Sequence, residues 1–369
     1  MKRLLPRLGL VLMGLFVGLL LAELGARLVQ PAGNADLLFN APDASPFGLY
    51  TSDRVLGLVP TPGFSATVRS PGYAVDLRIN ALGLRGPDPL TVAGVPAWLA
   101  IGDSFTMSVQ VAEEDSFCGQ LSAATGQIFW NAGVDGYSTP GAALRYGLLD
   151  EAVGSRGALL TFFLGNDLHD NARWPQIQQE AMSKPAGRLM GPPPLPFPQG
   201  LLLRNSFLFA HYRVWARAQA LTAGTDPSLQ RWRHELEIFT RMGRNGLERL
   251  ANQSEGALQR LANETRARGD HLMVAVAPPA FVIDRSRVPS TFGVVGLNLN
   301  EVDLDAPGAA ILAALARQGI AGCDLSTPLA AAQSQGEAMY LTYDGHWTRA
   351  GHRVVAEAVQ ACLAREGML

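Results

Sequence analysis

From residue 96 onward, short apolar runs alternate with longer segments of helical period, and that alternation leaves few folds open to the chain. The runs are Ala97–Ile101, Gln127–Trp130, Ala158–Leu164, His271–Val276 and Ile320–Leu325. Runs this brief and this continuously apolar fit strands buried on both faces, with helices between them as the crossovers of a parallel sheet. The expected fold class is α/β, a flavodoxin-like doubly wound parallel sheet of five strands, with functional residues in the loops past the strand C-termini. At 369 residues and 48% hydrophobic content the chain can bury a full core. Thr139-Pro140 reads as N-cap and N1 of a helix that turns Leu144, Leu148, Leu149 and Val153 to one face. A last helix begins at Thr348 and buries Val354, Val355, Ala358, Val359 and Cys362.

The start of the chain is organised differently. Lys2, Arg3 and Arg7 precede the uncharged stretch Leu8–Ala22, a charge order that keeps the first residues in the cytoplasm and sends the rest across the membrane. The uncharged core is short for a span, yet Ala22-Glu23-Leu24 and Leu24-Gly25-Ala26 are poor cleavage sites, so residues 1–30 read as an uncleaved signal anchor in preference to a signal peptide. Residues 31–95, rich in Pro, Gly and Asp, read as a linker and a small β-rich lead-in that includes the alternating Tyr73–Ile79. Residues 96–369 form the main domain, interrupted at about 171–270 by the proline-rich Gly191–Pro198, the apolar Leu201–Trp215 and a charged helical region from Arg231 to Arg268. The interruption reads equally as a lid or substrate wall and as a rigid connector.

Charge excludes one class of function. With a formal net charge of −2, 17% charged residues and no Lys/Arg tract, nucleic acid is not an expected partner. Three cysteines are too few for a disulfide scaffold. Cys323 and Cys362 could pair in an exported compartment, although two buried free thiols are the preferred reading. No cofactor motif and no metal-ligand constellation stands out.

The first apolar run ends abruptly in Gly102-Asp103-Ser104, which leaves a serine hydroxyl at the C-terminal tip of a buried strand. Alone, the tripeptide is ordinary turn chemistry. It is followed by Asn131-Ala-Gly133-Val-Asp-Gly136, Gly165-Asn166-Asp167 and Asp344-Gly345-His346-Trp347. Four blocks in this order resemble the SGNH (GDSL-type) hydrolase family over roughly residues 95–365. Asn80–Gly86, after Gly57–Gly63, is similar to the preamble of its membrane-anchored bacterial members. A serine hydroxyl is a poor nucleophile without a base in reach and a third group to hold that base. The resemblance implies that Ser104 is the nucleophile, His346 the base and Asp344 its orienter. Many family members place two residues between Asp and His, whereas Gly345 alone intervenes here, so a backbone carbonyl is the alternative orienter of His346. The absence of a Gly-x-Ser-x-Gly elbow argues against the common α/β-hydrolase architecture.

Acyl transfer also requires donors for the developing oxyanion. The resemblance implies the backbone N–H of Ser104, the backbone N–H of Gly136, with Gly133 as the alternative, and the side-chain amide of Asn166. Asp103 and Asp167 are assigned structural support. Trp347 reads equally as a wall of the substrate pocket or as a core anchor, and Phe105 is a second pocket candidate. The implied function is a serine esterase that removes acyl groups, above all acetyl, from O-acylated cell-envelope or exported carbohydrate, on the periplasmic side of a bacterial inner membrane. The alternatives are an O-acyltransferase acting on a polysaccharide with the same three residues, and a non-catalytic envelope protein that binds a glycan.

Overall fold

The computed structural model describes residues 4–28, 48–70, 72–87, 95–183, 186–187, 189–190, 229–342 and 344–369, with isolated positions between 206 and 226. The expected proline-rich stretch Gly191–Pro198 lies outside the described residues. Ten strands are described: β1 (Tyr50–Asp53), β2 (Gly57–Pro60), β3 (Ser65–Ser70), β4 (Tyr73–Arg78), β5 (Ala97–Ile101), β6 (Ile128–Asn131), β7 (Ser155–Phe163), β8 (Leu189–Met190), β9 (His271–Ala277) and β10 (Ala321–Asp324).

β5, β7 and β9 are apolar at nearly every position because each serves two cores. On β5, Ala97, Leu99 and Ile101 point to one face of the sheet, where Leu160 and Val274 from the neighbouring strands join them. Trp98 and Ala100 point to the other, with Leu159, Met273 and Ala275. Such strands must be covered on both sides. The sheet order is β10-β9-β7-β5-β6, and each neighbouring pair is parallel. Numbered along the chain this is the flavodoxin-like order, with its topological switch point at β5. The five expected strands are all present, each within a few residues of its apolar run.

Helices α1 (Leu4–Leu28), α2 (Ser104–Met107), α3 (Phe117–Thr125), α4 (Thr139–Val153), α5 (Asp167–Met182), α6 (Leu229–Glu237) and α7 (Arg244–Arg268) are followed by five more. These are α8 (Ala280–Ile283), α9 (Val288–Val294), α10 (Ala306–Arg317), α11 (Ser326–Ser334) and α12 (Arg349–Arg365). One face of the sheet carries α4, α7 and α10, and the other carries α3, α11 and α12. α7 lies in the charged region read as part of the interruption. Its stripe Leu247, Leu250, Leu258 and Leu261 is buried, so it is a structural crossover helix with a charged outer face. Each buried leucine contributes about 2 kcal/mol. α4 corrects the expected apolar face: Leu148 is 62% exposed and Leu144 36%, whereas Ala142, Ala143 and Tyr146 are buried. Small residues allow close approach to the sheet, and Gly141 sits directly under the Trp174 ring.

β1 and β2 pair in antiparallel fashion with β8 on the outer side of β1, and β3–β4 form a hairpin. Leu49, Tyr50, Val68, Leu77 and Ile79 from this lead-in form a third core with Met107, Val109, Val134 and Tyr137, which belong to the loops past β5 and β6. Buried Arg145 on α4 ties the two parts together by donating to the carbonyls of Ala132 (2.9 Å) and Gly83 (2.6 Å). α1 runs past Ala22 to Leu28, and its Gly9–Leu28 stretch has mean hydropathy 2.1 with none of it buried. At a rise of about 1.5 Å per residue the helix is long enough to cross a hydrocarbon core of about 30 Å. Glu23 within it is paired with Arg27 one turn on, at 2.9 Å.

Cys323 on β10 and Cys362 on α12 are bonded to each other, with Cα atoms 5.9 Å apart, so the preferred reading of two free thiols is corrected. The last helix packs directly over the edge strand, which brings residues 39 apart in sequence within bonding reach. Cys118 is the free, buried thiol. By the chain-entropy model a loop of this length is worth roughly 4 kcal/mol. Cys362→Ser is therefore expected to lower Tm by about 5–10 °C in a scanning calorimeter, and reductant should reproduce that loss in the unsubstituted protein but add nothing to the variant.

Candidate functional site

β5 ends at Ile101, and the chain turns at Gly102, whose φ of +144° belongs to the region that glycine alone adopts freely. A Cβ there would lie 2.5 Å from Thr106 Oγ1 and 2.8 Å from the Thr161 carbonyl oxygen on β7. The turn is closed by Asp103. Its Oδ1 accepts from the Phe105 N–H at 2.9 Å, and its carbonyl accepts from Thr106 and Met107, so Ser104 becomes the first residue of α2. Among the described residues Ser108, at the end of α2, is the one non-glycine with positive φ, at 50°. Arg85, 1% exposed, holds that end by donating to the carbonyls of Met107 (3.0 Å), Ser108 and Val111 while pairing with Glu113 at 2.8 Å. Asn131 adds a donor to the Thr106 carbonyl at 2.6 Å.

Ser104 faces the loop before α12. His346 Nε2 lies 2.8 Å from Ser104 Oγ, and His346 Nδ1 is in close contact with Asp344 Oδ1. Gly345 makes the two-residue step possible with φ +75°, and it brings the Asp344 carboxylate onto Nδ1 of the ring. Asp344 receives two further donors that the sequence did not reveal. Tyr73 Oη on β4 donates to Oδ2 at 3.1 Å, and Gln110 Nε2 donates to Oδ1 and Oδ2 at 3.2 and 3.3 Å. Tyr73 is separated from Asp344 by 271 positions, and nothing local in an alternating strand announces such a contact.

Burial works against the Asp344 charge, but His346 beside it and the donors Gln110 and Tyr73 hold its carboxyl below the usual range. Burial likewise opposes the His346 imidazolium, and the Asp344 carboxylate outweighs it and lifts the ring above its ordinary value. Phe105 packs on the imidazole with centroids 4.8 Å apart, and on Phe163 at 4.0 Å. Trp347 is fully buried and edge-on to Phe105 at 4.9 Å and to His352 at 5.4 Å. The two pocket candidates Trp347 and Phe105 are thus both buried and pack behind His346. His352, which sequence reasoning passed over, is held neutral by burial, with its pKa down at about 3, and its Nδ1 accepts from the Phe117 N–H at 3.3 Å.

The two glycines of the Asn131 block differ in kind. Gly133 donates to Asn131 Oδ1 at 3.1 Å, and a Cβ on it would lie 2.3 Å from the Met107 nitrogen, so Gly133 is a close-packing glycine with its N–H occupied. Gly136 has φ +75°, open space where a Cβ would be, and an N–H without a hydrogen bond among the described residues. The Ser104 N–H is likewise unengaged among them. The carbonyl of Asn166 accepts from His169 and Asp170 at the start of α5, and its side-chain amide donates one N–H to Asp170 Oδ2 at 3.0 Å, which leaves the second N–H available. Asp167 Oδ2 caps the Phe163 N–H at 2.9 Å. Burial pushes Asp103 up to about 7, Asp170 up to about 6 and Asp167 well above the carboxylate range.

A hydroxyl hydrogen-bonded to an imidazole that is itself held by a carboxylate is the arrangement that activates serine for attack on a carbonyl. Residues 240–369, which contain Asp344 and His346, match the family model described as the ALGX SGNH hydrolase-like domain, acetyltransferase AlgX. That match spans less than half of the chain and does not reach Ser104. No curated protein matches the chain. Among solved structures, the chain is similar to a protein described as lipolytic, of the G-D-S-L family, from Desulfitobacterium hafniense DCB-2, at 12% identity and TM-score 0.40 over 72% of this chain and 99% of that one. It is also similar to a catalytic mutant of the acetylxylan esterase Axe2 from Geobacillus stearothermophilus, at 11% identity and TM-score 0.39 over 74% of this chain and 95% of that one. Esterase EstA from a Pseudoalteromonas species gives 10% identity and TM-score 0.35 over 73% and 97%.

The electrostatics of the site fix a sign for its pH dependence. A base must be neutral to act, and Asp344 raises His346, so kcat/KM for an aryl ester should fall on the acid side with a midpoint above about 6.5, the ordinary histidine value. In Asp344→Asn burial is opposed only by the smaller pull of Asp103 and Asp135. The midpoint is expected to drop below that of the unsubstituted protein while the rate falls by on the order of 10,000-fold. Tyr73→Phe removes one donor to a charged acceptor and is expected to lower kcat/KM about tenfold.

Proposed function

We propose that this chain is a serine acyl-ester enzyme in which Ser104 is the nucleophile, His346 the general base and acid, and Asp344 the group that orients and charge-stabilises His346. The observation that carries this reading is the 2.8 Å contact between Ser104 Oγ and His346 Nε2 with Asp344 on the other ring nitrogen. His346 takes the hydroxyl proton as Oγ attacks the acyl carbonyl, and the tetrahedral oxyanion is met by the N–H groups of Ser104 and Gly136 and by the free amide N–H of Asn166. Collapse expels the alcohol, which receives the proton from His346 and leaves an ester on Ser104. Water, activated by the same imidazole, releases the acid.

The substrate class is an O-acylated, above all O-acetylated, carbohydrate of the cell envelope or an exported one. The acetyltransferase named in the matching family model and the acetylxylan specificity named for Axe2 both support it. The family model also favours a second reading, in which a sugar hydroxyl instead of water resolves the acyl-enzyme and the protein is an O-acyltransferase. α1 acts as a signal anchor with the domain on the extracytoplasmic side. Lys2, Arg3 and Arg7 ahead of the apolar stretch and the Cys323–Cys362 bond support that side.

The full chain in detergent is expected to turn over p-nitrophenyl acetate. Ser104→Ala should reduce this at least about 1000-fold, and Asn166→Ala should lower kcat by about 100- to 1000-fold with little change in KM. With acetylated and deacetylated polysaccharides added, free acetate identifies the esterase and acetyl newly bound to the glycan identifies the transferase. Turnover that survives Ser104→Ala would overturn the assignment.

A further inference from the structure

Residues of α5, α6 and α7 line a cavity of about 240 Å³. His169 lines it, 5% exposed, and neither ring nitrogen makes a hydrogen bond among the described residues. The ring stands edge-on to the His234 ring, with centroids 4.7 Å apart, and the His234 backbone lies close to it. The cavity lining carries three guanidinium groups, from Arg173 on α5, Arg231 on α6 and Arg249 on α7, with the Glu235 carboxylate among them and Asp170 alongside. Glu235 accepts from Arg231 Nε at 2.6 Å, neither η-nitrogen of that guanidinium has a hydrogen bond among the described residues, and Arg173 reaches Asp170 at 3.9 Å. The floor is apolar, with Leu250 and Ala172.

A buried imidazole without a partner costs stability unless something supplies one. Three cations in one lining repel each other and a protonated His169 alike. Burial first, then His234, with Arg173 and Arg231 adding to it, bring the ring down to about 4, although the His234 backbone acts weakly in the opposite direction. His169 is therefore neutral, with one N–H to give. The group that satisfies all of these at once is an oxygen anion, accepting from His169 and from the arginines, while a compact carbon body rests on Leu250 and Ala172. The geometry points to a binding site here for a small organic anion, a carboxylate or phosphate monoester. Its occupancy is linked to Asn166 through Asp170, which accepts from the Asn166 amide at 3.0 Å and faces the Arg173 and Arg231 guanidinium groups. The binding claim stands by itself; the effect on turnover rests on the acyl-ester reading.

The test uses the full chain in detergent, titrated with inorganic phosphate at ionic strength held constant with sodium chloride. Tm should rise saturably, and the His169 imidazole, followed by NMR, should titrate at higher pH when phosphate is bound. Arg231→Gln/Arg249→Gln is expected to weaken phosphate at least tenfold, and His169→Phe to abolish the NMR change while weakening it as well. Arg249→Gln alone should weaken phosphate while leaving p-nitrophenyl acetate turnover in phosphate-free buffer unchanged. A parallel series with glycerol 1-phosphate and lactate separates phosphate from carboxylate as the preferred head group, and saturable binding of either supports the site. No saturable response to any of the three, or an identical response in the arginine variants, overturns it. If binding behaves as described but no Ser104-dependent turnover is found, the acyl-ester reading fails and the anion site remains.

Discussion

β5 has a hydrogen-bonded neighbour on each side and apolar cover on each face, so its backbone can leave the sheet only at its end and only through a residue with no side chain. Gly102 is that residue. It passes within van der Waals distance of Thr161 on the neighbouring strand, and whatever follows is aimed by this one turn. Asp103 converts the turn into a helix start, Arg85 and Asn131 fix the far end of that helix, and Ser104 is left between two constrained points. A hydroxyl held this way loses little freedom when it enters a reaction, which is where much of the advantage of a preorganised site arises.

The same turn gathers negative charge. Asp103, Asp167 and Asp170 all lie beneath the loops that carry Ser104 and Asn166, and each is shifted upward by burial. Each of Asp103 and Asp167 spends one oxygen on a backbone N–H, Phe105 and Phe163 respectively, and keeps the other buried without a hydrogen bond. Asp344 differs because three donors converge on it, and it alone of the four is held below the ordinary range. Two carboxyl environments, one that retains a proton and one that refuses it, are thereby kept apart within a single crevice.

Much of this was legible in the sequence. Continuous apolar runs announced the five strands, since a strand serving two cores has no polar face to blur the signal, and the Gly-Asp-Ser, Gly-Asn-Asp and Asp-Gly-His blocks each fall in the loop after a strand or before a helix. What stayed hidden depends on packing across the chain. The leucines of α4 looked like its buried stripe, yet close approach to the sheet favours alanine and glycine. Trp347 could have lined a pocket or filled a core, and only the positions of Phe105 and His352 decide between them. Cysteine pairing depended on where the last helix lies against the edge strand. Tyr73, Arg85 and Gln110 carry no local pattern that distinguishes them from other polar residues of loops and strand ends.

Tyr73 comes from the first fifth of the chain and Asp344 from the last tenth, so the site joins segments made at opposite ends of synthesis. α1 emerges from the ribosome long before His346 exists. A nascent chain carries Ser104 long before it carries Asp344 and His346. The contact between Ser104 and His346 therefore forms only after the loop before α12 has been made, and no shorter translation product can contain it.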